Sequence, residues 1–469
     1  MPRPTSALVA TLLFASMEAR AANSVAADPL QQAPAIIGGA ISDGGAMKRL
    51  AELTDGIGPR LSGSAGAAAA ITWAEKRFRE DGAAVHLEPV LVPHWVRGTE
   101  KAEVVSPATV APLPLSITAL GGSAGTPPGG ITAPLIELHS LDELAALGEK
   151  VRGKIVLFQH TMSVAHDYGE FASLRSTGPL AAARLGAVGV LVRSLATASL
   201  RSPHTGLMKT DPSVATIPGA AVSTEDAQLL HRLLSQGPVS VHLELGCKTL
   251  PDTPSFNVVA ELRGSEKPEE IVLLGAHLDS WDLAQGAVDD GAGVVMVMEA
   301  LRLLAHLPTP PRRTVRAVLF MNEENGIRGA LAYAKAHEDE VKHHVAALEC
   351  DSGAGAPQSW SLNSGAAAVA LLQPWMQPLE ALSCSTVVVG DRAGTDLYPL
   401  QQLPDAPPVL ELIQDGTHYF DVHHSAADTL DKVNPRELAE STAAVAWAAW
   451  SLAQMPETLP RPGVKAAAH

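Results

Sequence analysis

Histidines and acidic residues occur in the C-terminal half of this chain at points where apolar runs end. The apolar run 271–276 is followed at once by His277 and Asp279, and the pair Asp289–Asp290 comes after a loop of small residues. Such polar groups are poorly suited to a hydrophobic core, whereas α/β proteins place their ligand sites at the carboxyl ends of parallel strands. The stretch 271–290 is therefore a candidate metal site.

Further imidazole and carboxylate groups follow other apolar runs or lie in polar loops. These candidates are Glu323, Glu324, Asp351 and His424. Imidazole and carboxylate ligands without thiolates suit zinc in a hydrolytic site that keeps positions open for water. Two histidines and several carboxylates exceed the needs of one ion, and they suit two ions about 3.5–4 Å apart that share a carboxylate.

Each of these groups also has an ordinary structural explanation. A His-x-Asp sequence is commonly structural, and the pair Glu323–Glu324 before a helix could simply complement the helix dipole. The joint occurrence of the groups, each where a parallel strand would end, favours a shared metal site instead. By contrast, the histidines at the end of a charged helix are predicted to lie on a solvated face; they are His337, His343 and His344.

The elements that would position these groups alternate between strand-like and helical segments. A helical pattern at 67–81 precedes a strand-like run at 85–92, and a second helical pattern, 291–306, follows the first candidate ligands. The last helix begins at Asn434 as its N-cap, with Pro435 at its first position. We therefore predict an α/β fold in which helices flank a mixed, mostly parallel sheet.

Changes of composition divide the chain into segments. The sequence Pro127-Pro128-Gly129-Gly130 marks a domain boundary, so residues 36–125 and 251–458 are predicted to form one domain around an insertion at 126–250. The insertion carries no clustered set of candidate ligands. Its scattered histidines, predicted to be surface or structural groups, are His160, His166 and His204.

The N-terminus is typical of an export signal. Arg3 precedes a modest apolar run at 7–17, and Ala19-Arg20-Ala21 offers a cleavage site, so residues 1–22 are predicted to be a signal peptide. This predicts a secreted or periplasmic protein. The apolar run is shorter than the roughly 20 residues that a membrane span needs, and we predict no such span.

Bulk composition excludes several classes of protein. The hydrophobic fraction of 46% and the charged fraction of 18% are those of a globular chain. The net charge of −16 argues against a nucleic-acid partner, which requires a basic surface. The three cysteines, Cys247, Cys350 and Cys384, form no disulfide framework or zinc-binding pair by their spacing, although one bridge remains possible.

Five short motifs resemble, in order and approximate spacing, those of the zinc-dependent peptidase family M28. They are AHLDSWD at 276–282, AVDDGAGV at 287–294, NEENGIRGA at 322–330, ECDSG at 349–353 and HHSAADTL at 423–430. The resemblance implies a zinc exopeptidase fold. Further segments resemble a subgroup of the family that carries an inserted protease-associated domain. Among them are IGPRLSGS at 57–64, VRGKIV at 151–156, LGAVGVLVRS at 185–194 and SPHTG at 202–206.

The resemblance also implies roles for the candidate residues. Two zinc ions per chain would be held, one by His277 and Asp351 and the other by Glu324 and His424, with Asp289 bridging them. In the same set, Asp279 would orient His277, Glu323 would be the general base, and His423 would stabilise the oxyanion. A substrate-binding loop is implied for Gly394, Thr395 and Asp396, together with Arg392. A cis peptide between Asp289 and Asp290 and a homodimer are implied as well.

The function expected on these grounds is that of an exported zinc exopeptidase. It would hydrolyse dipeptides or short peptides with a metal-activated water and a glutamate base. One alternative is an aminopeptidase that acts on longer peptides, because the family shares one set of metal ligands. A second alternative is a non-catalytic binding protein on the same fold. Such a protein would be expected to lose metal ligands, whereas all five are present here.

Overall fold

The structure is a computed structural model that describes residues 29–105, 111–391 and 394–463. The predicted signal peptide and Arg392 lie outside these residues. Within the described ranges, no helix is both long enough and apolar enough to cross a bilayer. All three cysteines are buried and none of them is in a disulfide.

The main sheet has strands in the order β1-β10-β12-β11-β13-β16-β14-β15. Its strands are β1 (Ala84–Val96), β10 (Lys248–Leu262), β11 (Lys267–His277), β12 (Arg313–Phe320), β13 (His344–Glu349), β14 (Pro357–Leu362), β15 (Val387–Val389) and β16 (Val409–Gln414). The central strands β12, β11, β13 and β16 are mutually parallel. The pairs β1–β10, β10–β12 and β14–β16 are antiparallel, and the edge strand β15 is parallel to β14. The sheet is therefore mixed with a parallel centre, as predicted.

Helices cover both faces of this sheet. The helices of the domain are α1 (Ala33–Ser42), α2 (Gly45–Gly56), α3 (Ala65–Glu80), α8 (Ala292–Ala305), α9 (Arg328–Ala336), α10 (Gly365–Leu372), α11 (Tyr398–Gln401), α12 (Tyr419–Val422) and α13 (Pro435–Gln454). Alternate residues of β11 enter different cores, with Val272 and Leu274 on one side and Leu273 on the other. A strand buried on both faces must be apolar throughout, which explains the continuous run that precedes His277.

The C-terminal helix α13 closes the larger core. The Asn434 side chain accepts a hydrogen bond from the main-chain N–H of Arg436, which confirms the predicted N-cap. Trp447 and Trp450 are buried against the remaining helices and the sheet. Helices α8 and α13 pack on each other, so the helix that directly follows Asp289–Asp290 is fixed by the core.

A second sheet contains the strands β3-β2-β9-β5-β6-β7-β8-β4 in that order. They are β2 (Glu100–Val104), β3 (Leu113–Leu115), β4 (Ile117–Ala119), β5 (Ile131–Leu138), β6 (Ile155–Phe158), β7 (Gly189–Arg193), β8 (Gly219–Val222) and β9 (Ser240–Leu245). Its helices are α4 (Leu141–Leu147), α5 (Asp167–Ser176), α6 (Gly178–Arg184) and α7 (Thr224–Leu234). These elements form a second domain with cores of their own.

This second domain begins earlier than the predicted boundary at residue 126. Strands β2, β3 and β4 precede the Pro127–Gly130 turn but belong to the second sheet. Strand β3 pairs with β2, but β2 and β4 pair with β9 and β8, which lie more than 90 residues away. Local sequence therefore does not show that these short strands belong to the second sheet. The chain leaves the main sheet after β1 and re-enters it through β10.

The two domains are joined by this pair of antiparallel strands. Strand β1 pairs with β10 from Ala84↔Glu261 to Val96↔Lys248. At the crossing, Gly246 N–H donates to Thr99 O at 2.7 Å. Gly98 has φ +74° here, and a Cβ atom at this position would overlap the Gly246 carbonyl oxygen. The connection is thus a continuous ribbon and not a pair of independent linkers.

The histidine cluster after α9 is not a solvated face, and that prediction was wrong for two of its three members. His344 is fully buried. The His337 ring contacts Glu340 Oε2 at 2.7 Å and Glu88 Oε1 at 2.9 Å. Burial alone would lower the pKa of His337, but the hydrogen bonds to Glu340 and Glu88 raise it to about 9. The cluster thereby ties α9 to strand β1.

This cluster predicts a pH-dependent stability. The pKa of His337 is about 9 in the folded chain and about 6.5 as the ordinary value, so its stabilisation is complete below 6.5 and is lost as the pH rises to 9. We expect the free energy of unfolding in urea to fall over that interval. His337→Gln should remove this component, and His306→Gln, at an exposed histidine that ends α8, should retain it. An unchanged pH profile in His337→Gln would contradict the assignment.

Candidate metal centre

The parallel strands bring the predicted ligands to one edge of the main sheet. His277 is the last residue of β11, Glu323 and Glu324 follow β12, and Asp351 follows β13. His424 comes after β16 and the short helix α12. Because adjacent strands are in parallel register, with His277 opposite Phe320, the side chains that leave their carboxyl ends converge.

Asp289 lies at the centre of the cluster, and each of its carboxylate oxygens faces a different imidazole. Oδ1 lies 3.1 Å from His277 Nε2, and Oδ2 lies 3.3 Å from His424 Nε2. Two further carboxylates complete the cluster, since Asp351 Oδ1 is 3.6 Å from His277 Nε2 and Glu324 Oε2 is 3.1 Å from His424 Nε2. The five predicted ligands thus form two sets that share Asp289.

These groups fit a pair of metal ions. Three sets of three residues each have potential ligand atoms within 4.8 Å of one another, and together they contain the five predicted ligands and also Asp290 and His423. The donors are imidazole nitrogens and carboxylate oxygens. Asp289 Oδ2 is buried and accepts no hydrogen bond of normal geometry among the described residues. A buried carboxylate oxygen without a donor requires a positive partner, and a cation between the two imidazoles would provide one. The donor set suits zinc.

The loop that presents Asp289 has an unusual main chain. The peptide between Asp289 and Asp290 is cis, as the resemblance implied. Asp290 ties the loop to both neighbouring elements, because its Oδ2 accepts from the N–H of His277 at 3.1 Å and its Oδ1 accepts from that of Gly293 at 3.0 Å. These two hydrogen bonds fix strand β11 and helix α8 relative to each other, on either side of Asp289.

Asp428 is a functional residue that sequence reasoning did not assign. Its Oδ1 accepts from Val288 N–H at 2.7 Å, and its Oδ2 accepts from Asp289 N–H at 3.2 Å. Burial and the charge of Asp289 together raise the pKa of Asp428 to about 7, against the lowering effect of these two hydrogen bonds. Asp428 therefore fixes the main chain of Asp289, the central predicted ligand, and only its place in the HHSAADTL motif indicated its importance.

Arg60 is a second residue without a predicted role. Its guanidinium is fully buried and donates to main-chain carbonyls, among them Leu278 O at 2.9 Å, Gln285 O at 2.5 Å and Gly286 O at 3.0 Å. These carbonyls lie at both ends of the loop between β11 and the ligand Asp289. Arg60 therefore joins the two ends of this loop through buried hydrogen bonds. In the sequence, only its place in the motif IGPRLSGS indicated a role for it.

The structure gives Asp279 a different contact from the one the resemblance implied. The Nδ1 atom of His277 lies 3.0 Å from the main-chain carbonyl of Asp279 and not from its carboxylate. The carboxylate Oδ1 instead accepts from Asn322 N–H at 2.7 Å and Glu323 N–H at 3.1 Å. Asp279 thus orients His277 through its main-chain carbonyl, and it orients the segment at Glu323 through its carboxylate. The residue type alone does not show which of the two groups contacts His277.

The electrostatics of the cluster follow from burial. Burial raises the pKa of Glu323 well above its usual range, and the charges of Asp351 and Glu324 raise it further against the effect of His277. Burial also opposes ionisation of Asp289, but the neighbouring imidazoles of His277 and His424 hold its pKa well below the usual range. Carboxylates with such different pKa values in one cluster are typical of a catalytic site.

His423 packs directly against the ligand that follows it. Its ring stacks on that of His424 with centroids 3.6 Å apart, and its Nε2 lies 3.6 Å from Asp289 Oδ2. The Nδ1 atom is buried and has no hydrogen-bond partner among the described residues. His423 therefore borders the cavity and the cluster at once.

A cavity of about 620 Å³ opens over the cluster. Its acidic lining residues are Asp289, Glu323, Glu324, Asp351, Asp391 and Glu411. Gly394 and Thr395 of the predicted substrate loop also line it, but Asp396 does not. Asp396 is buried behind the cavity, where its main-chain N–H donates to Glu349 Oε1 at 3.1 Å. The second domain contributes Tyr168, Arg175 and Leu207 to the wall.

Comparison with known proteins identifies the class to which this fold and site belong. The model of Peptidase family M28 matches residues 257–449. Carboxypeptidase Q of Mus musculus is 40% identical over 418 residues, which cover 88% of this chain and 87% of the relative. The chain therefore belongs to peptidase family M28, and it is a metallopeptidase. This confirms the resemblance predicted from the sequence motifs.

The relatives also include solved structures. A peptidase M28 precursor from Shewanella amazonensis SB2B superposes with a TM-score of 0.88 at 39% identity, covering 93% of this chain and 99% of that one. The zinc aminopeptidase BSAP from Bacillus subtilis has a TM-score of 0.65 at 19% identity, over 90% of this chain and 98% of its own. The latter similarity shows a shared fold only. The motifs that indicated one subgroup of the family thus agree with relatives named carboxypeptidase Q.

The contacts of Asp428 predict a loss of metal binding on substitution. In Asp428→Asn an amide NH2 would meet a main-chain N–H of Val288 or Asp289, leaving a buried donor unpaired at a cost of about 1–3 kcal/mol. We expect weaker zinc binding, measured by chelator competition, and a lower urea midpoint. Asp415→Asn is the matched control, because this exposed carboxylate also accepts from a main-chain N–H, that of Thr417. Normal zinc affinity in Asp428→Asn would contradict the role.

Proposed function

We propose that this chain is an exported zinc-dependent exopeptidase that hydrolyses dipeptides or short peptides. The observation that carries the proposal is the carboxylate of Asp289, whose two oxygens face His277 and His424 beneath an acidic cavity. A predicted signal peptide at residues 1–22 supports export to the periplasm or the medium. Relatives named carboxypeptidase Q, 40% identical over 88% of the chain, support an exopeptidase.

In this proposal two zinc ions are held by the five residues around Asp289. His277 and Asp351 would hold one ion, Glu324 and His424 the other, and Asp289 both. When bound, zinc supplies Lewis acidity and lowers the pKa of water towards neutrality. Asp428 and Arg60 keep the shared ligand in place.

Glu323 would be the general base and acid. Its main chain is fixed by Asp279, and its side chain lines the cavity beside Glu324 and Asp351. Its raised pKa suits a group that accepts a proton from water and then donates it to the leaving amine. His423 has a buried ring beside the same cavity, and we assign to it the hydrogen bond that stabilises the oxyanion.

The remaining features extend this proposal. Gly394 and Thr395 line the cavity and are assigned to substrate binding, whereas Asp396 would support that loop from behind. The second domain is proposed to be a protease-associated domain, based on its sequence resemblance and its insertion between β1 and β10. A homodimer is proposed on the family resemblance alone.

An aminopeptidase that acts on longer peptides is the second candidate. The acidic lining of the cavity favours it as much as a dipeptidase, because carboxylates such as Asp391 attract a free amino terminus. The two activities differ in whether the substrate must also have a free carboxylate close to the scissile bond.

Substitution of Glu323 tests the chemistry of the proposal. Glu323→Gln should retain both zinc ions, because Glu323 is not one of the five ligands, and should lower kcat by about 10²–10⁴-fold. Zinc content by mass spectrometry and turnover of a dipeptide are the measurements. Glu338→Gln, at an exposed position after α9, is the control. Wild-type turnover in Glu323→Gln would refute the assignment of the base.

A peptide panel tests the substrate class. An unblocked dipeptide should be hydrolysed faster than the same dipeptide with an acetylated amine, an amidated carboxylate or one added residue. Faster cleavage of the longer peptides, with tolerance of the amide, would instead support the aminopeptidase. Activity should disappear on treatment with a chelator and return with zinc. Activity that persists without metal would refute the proposal as a whole.

A further inference from the structure

The two imidazole ligands are supported by different domains. His277 has its Nδ1 atom against the main-chain carbonyl of Asp279, which belongs to its own domain. The Nδ1 atom of His424 lies 3.3 Å from the main-chain carbonyl of Thr205, which belongs to the inserted domain. The inserted domain therefore contacts the cluster of predicted ligands through the Nδ1 atom of His424.

The contact at Thr205 is part of a short main-chain pairing. The N–H of Thr205 donates to His424 O at 2.8 Å, and the neighbouring residues His204 and Ser425 form an antiparallel bridge. Thr205 thus holds His424 at two points, through its main chain and through its ring. These contacts lie in the SPHTG segment at 202–206, which the sequence resemblance singled out.

This contact has a chemical consequence for His424. Two groups face Nδ1, the Thr205 carbonyl at 3.3 Å and Arg175 Nη1 at 3.4 Å. Arg175 Nη1 donates to the Thr205 carbonyl at the shorter distance of 3.0 Å, and that carbonyl can only accept, so we assign the proton to Nδ1. Nε2 then presents its lone pair on the side of the ring that faces Asp289 and Glu324. A metal ligand requires this tautomer and orientation, and the acceptor behind the ring selects both.

Thr205 is in turn fixed by the second sheet. It is fully buried, and its hydroxyl donates to Ala119 O at 2.7 Å, at the end of β4. The Nη1 atom of Arg175 donates to Thr205 O at 3.0 Å. The preceding N–H, that of His204, donates to Ser194 Oγ at 2.9 Å. The carbonyl that faces His424 is therefore set by contacts from three separate segments of the inserted domain.

A second set of contacts, near His424, involves the loop that precedes Asp289. The guanidinium of Arg97 forms a salt bridge with Asp282 at 2.6 Å. The Trp281 ring lies against Gly121, where a Cβ atom would overlap it, and 5.8 Å from the His424 ring between centroids. Both Trp281 and Asp282 belong to the loop between β11 and Asp289. These contacts fix the loop between β11 and Asp289 relative to the inserted domain.

We propose that the inserted domain is a structural part of the metal site formed by Glu324 and His424, and that Thr205 is the positioning residue. The inference rests on the proposed function, since it requires that His424 holds zinc. It gives the inserted domain a role at the metal centre, whereas its sequence contains no clustered ligands. Thr205 itself touches neither the metal nor the substrate.

Thr205→Val tests the proposal with the smallest change of shape. The variant lacks the hydroxyl that anchors Thr205 to Ala119, while the Ala119 carbonyl keeps the hydrogen bond from Arg97, so no buried acceptor is orphaned. We expect the affinity for one of the two zinc ions to fall by about 10–100-fold, the usual effect of losing an outer contact of a ligand. Chelator competition on the full-length protein, with zinc counted by mass spectrometry, measures it.

Companion variants assign the effect to one ion. An Asp351→Asn background leaves the site formed by Glu324 and His424. In this background Thr205→Val should lower the affinity for the remaining zinc ion. In a Glu324→Gln background the remaining ion should be unaffected. Thr205→Ser should restore wild-type affinity, and Thr132→Val, which removes an exposed hydroxyl of the inserted domain, should have no effect.

Three outcomes would overturn the proposal. The first is an unchanged zinc affinity in Thr205→Val, and the second is an equal loss of affinity for both zinc ions. The third is a lower Tm of the metal-free variant that is large enough to explain the loss of zinc affinity. Wild-type protein that binds fewer than two zinc ions would instead refute the proposed function on which the inference rests. Measurement of the wild type first separates the two failures.

Discussion

The structure depends on the burial of several carboxylates around one shared ligand. Glu324 and Asp351 follow the carboxyl ends of parallel strands, and the loop after β11 brings Asp289 between them. Like charges in a buried cluster repel each other, and the two imidazoles offset only part of that charge. A divalent cation would remove most of the repulsion, so metal binding and stability of this edge of the sheet are linked.

Much of the surrounding structure resists this repulsion. Arg60 closes the loop before Asp289 from inside, Asp428 holds the main chain of Asp289, and Asp290 ties strand β11 to helix α8. All these contacts are to main-chain groups, so they fix the backbone and leave the ligand atoms free for metal. The backbone geometry of the site is therefore fixed by contacts that do not involve the ligand atoms, which is what a catalytic metal site requires.

The sequence predicted the parts of the site that follow from local pattern. An apolar run that ends in a histidine or an acid identified His277, Glu324 and Asp351, because strands buried on both faces are apolar up to their ends. It did not predict the support by Arg60 or Asp428, since their contacts join segments more than 130 residues apart. The same limitation explains the boundary error, because β2 and β4 are placed in the second sheet by distant partners, β9 and β8.

The ribbon of β1 and β10 has a further consequence for how the chain folds. These strands pair along their whole length although the entire inserted domain separates them in sequence. Closing so long a loop costs conformational entropy, and this cost falls when the intervening segment is already compact with its ends together. The Gly246–Thr99 contact brings those ends together within the inserted domain. Folding of that domain first would therefore lower the entropic barrier to assembling the catalytic sheet.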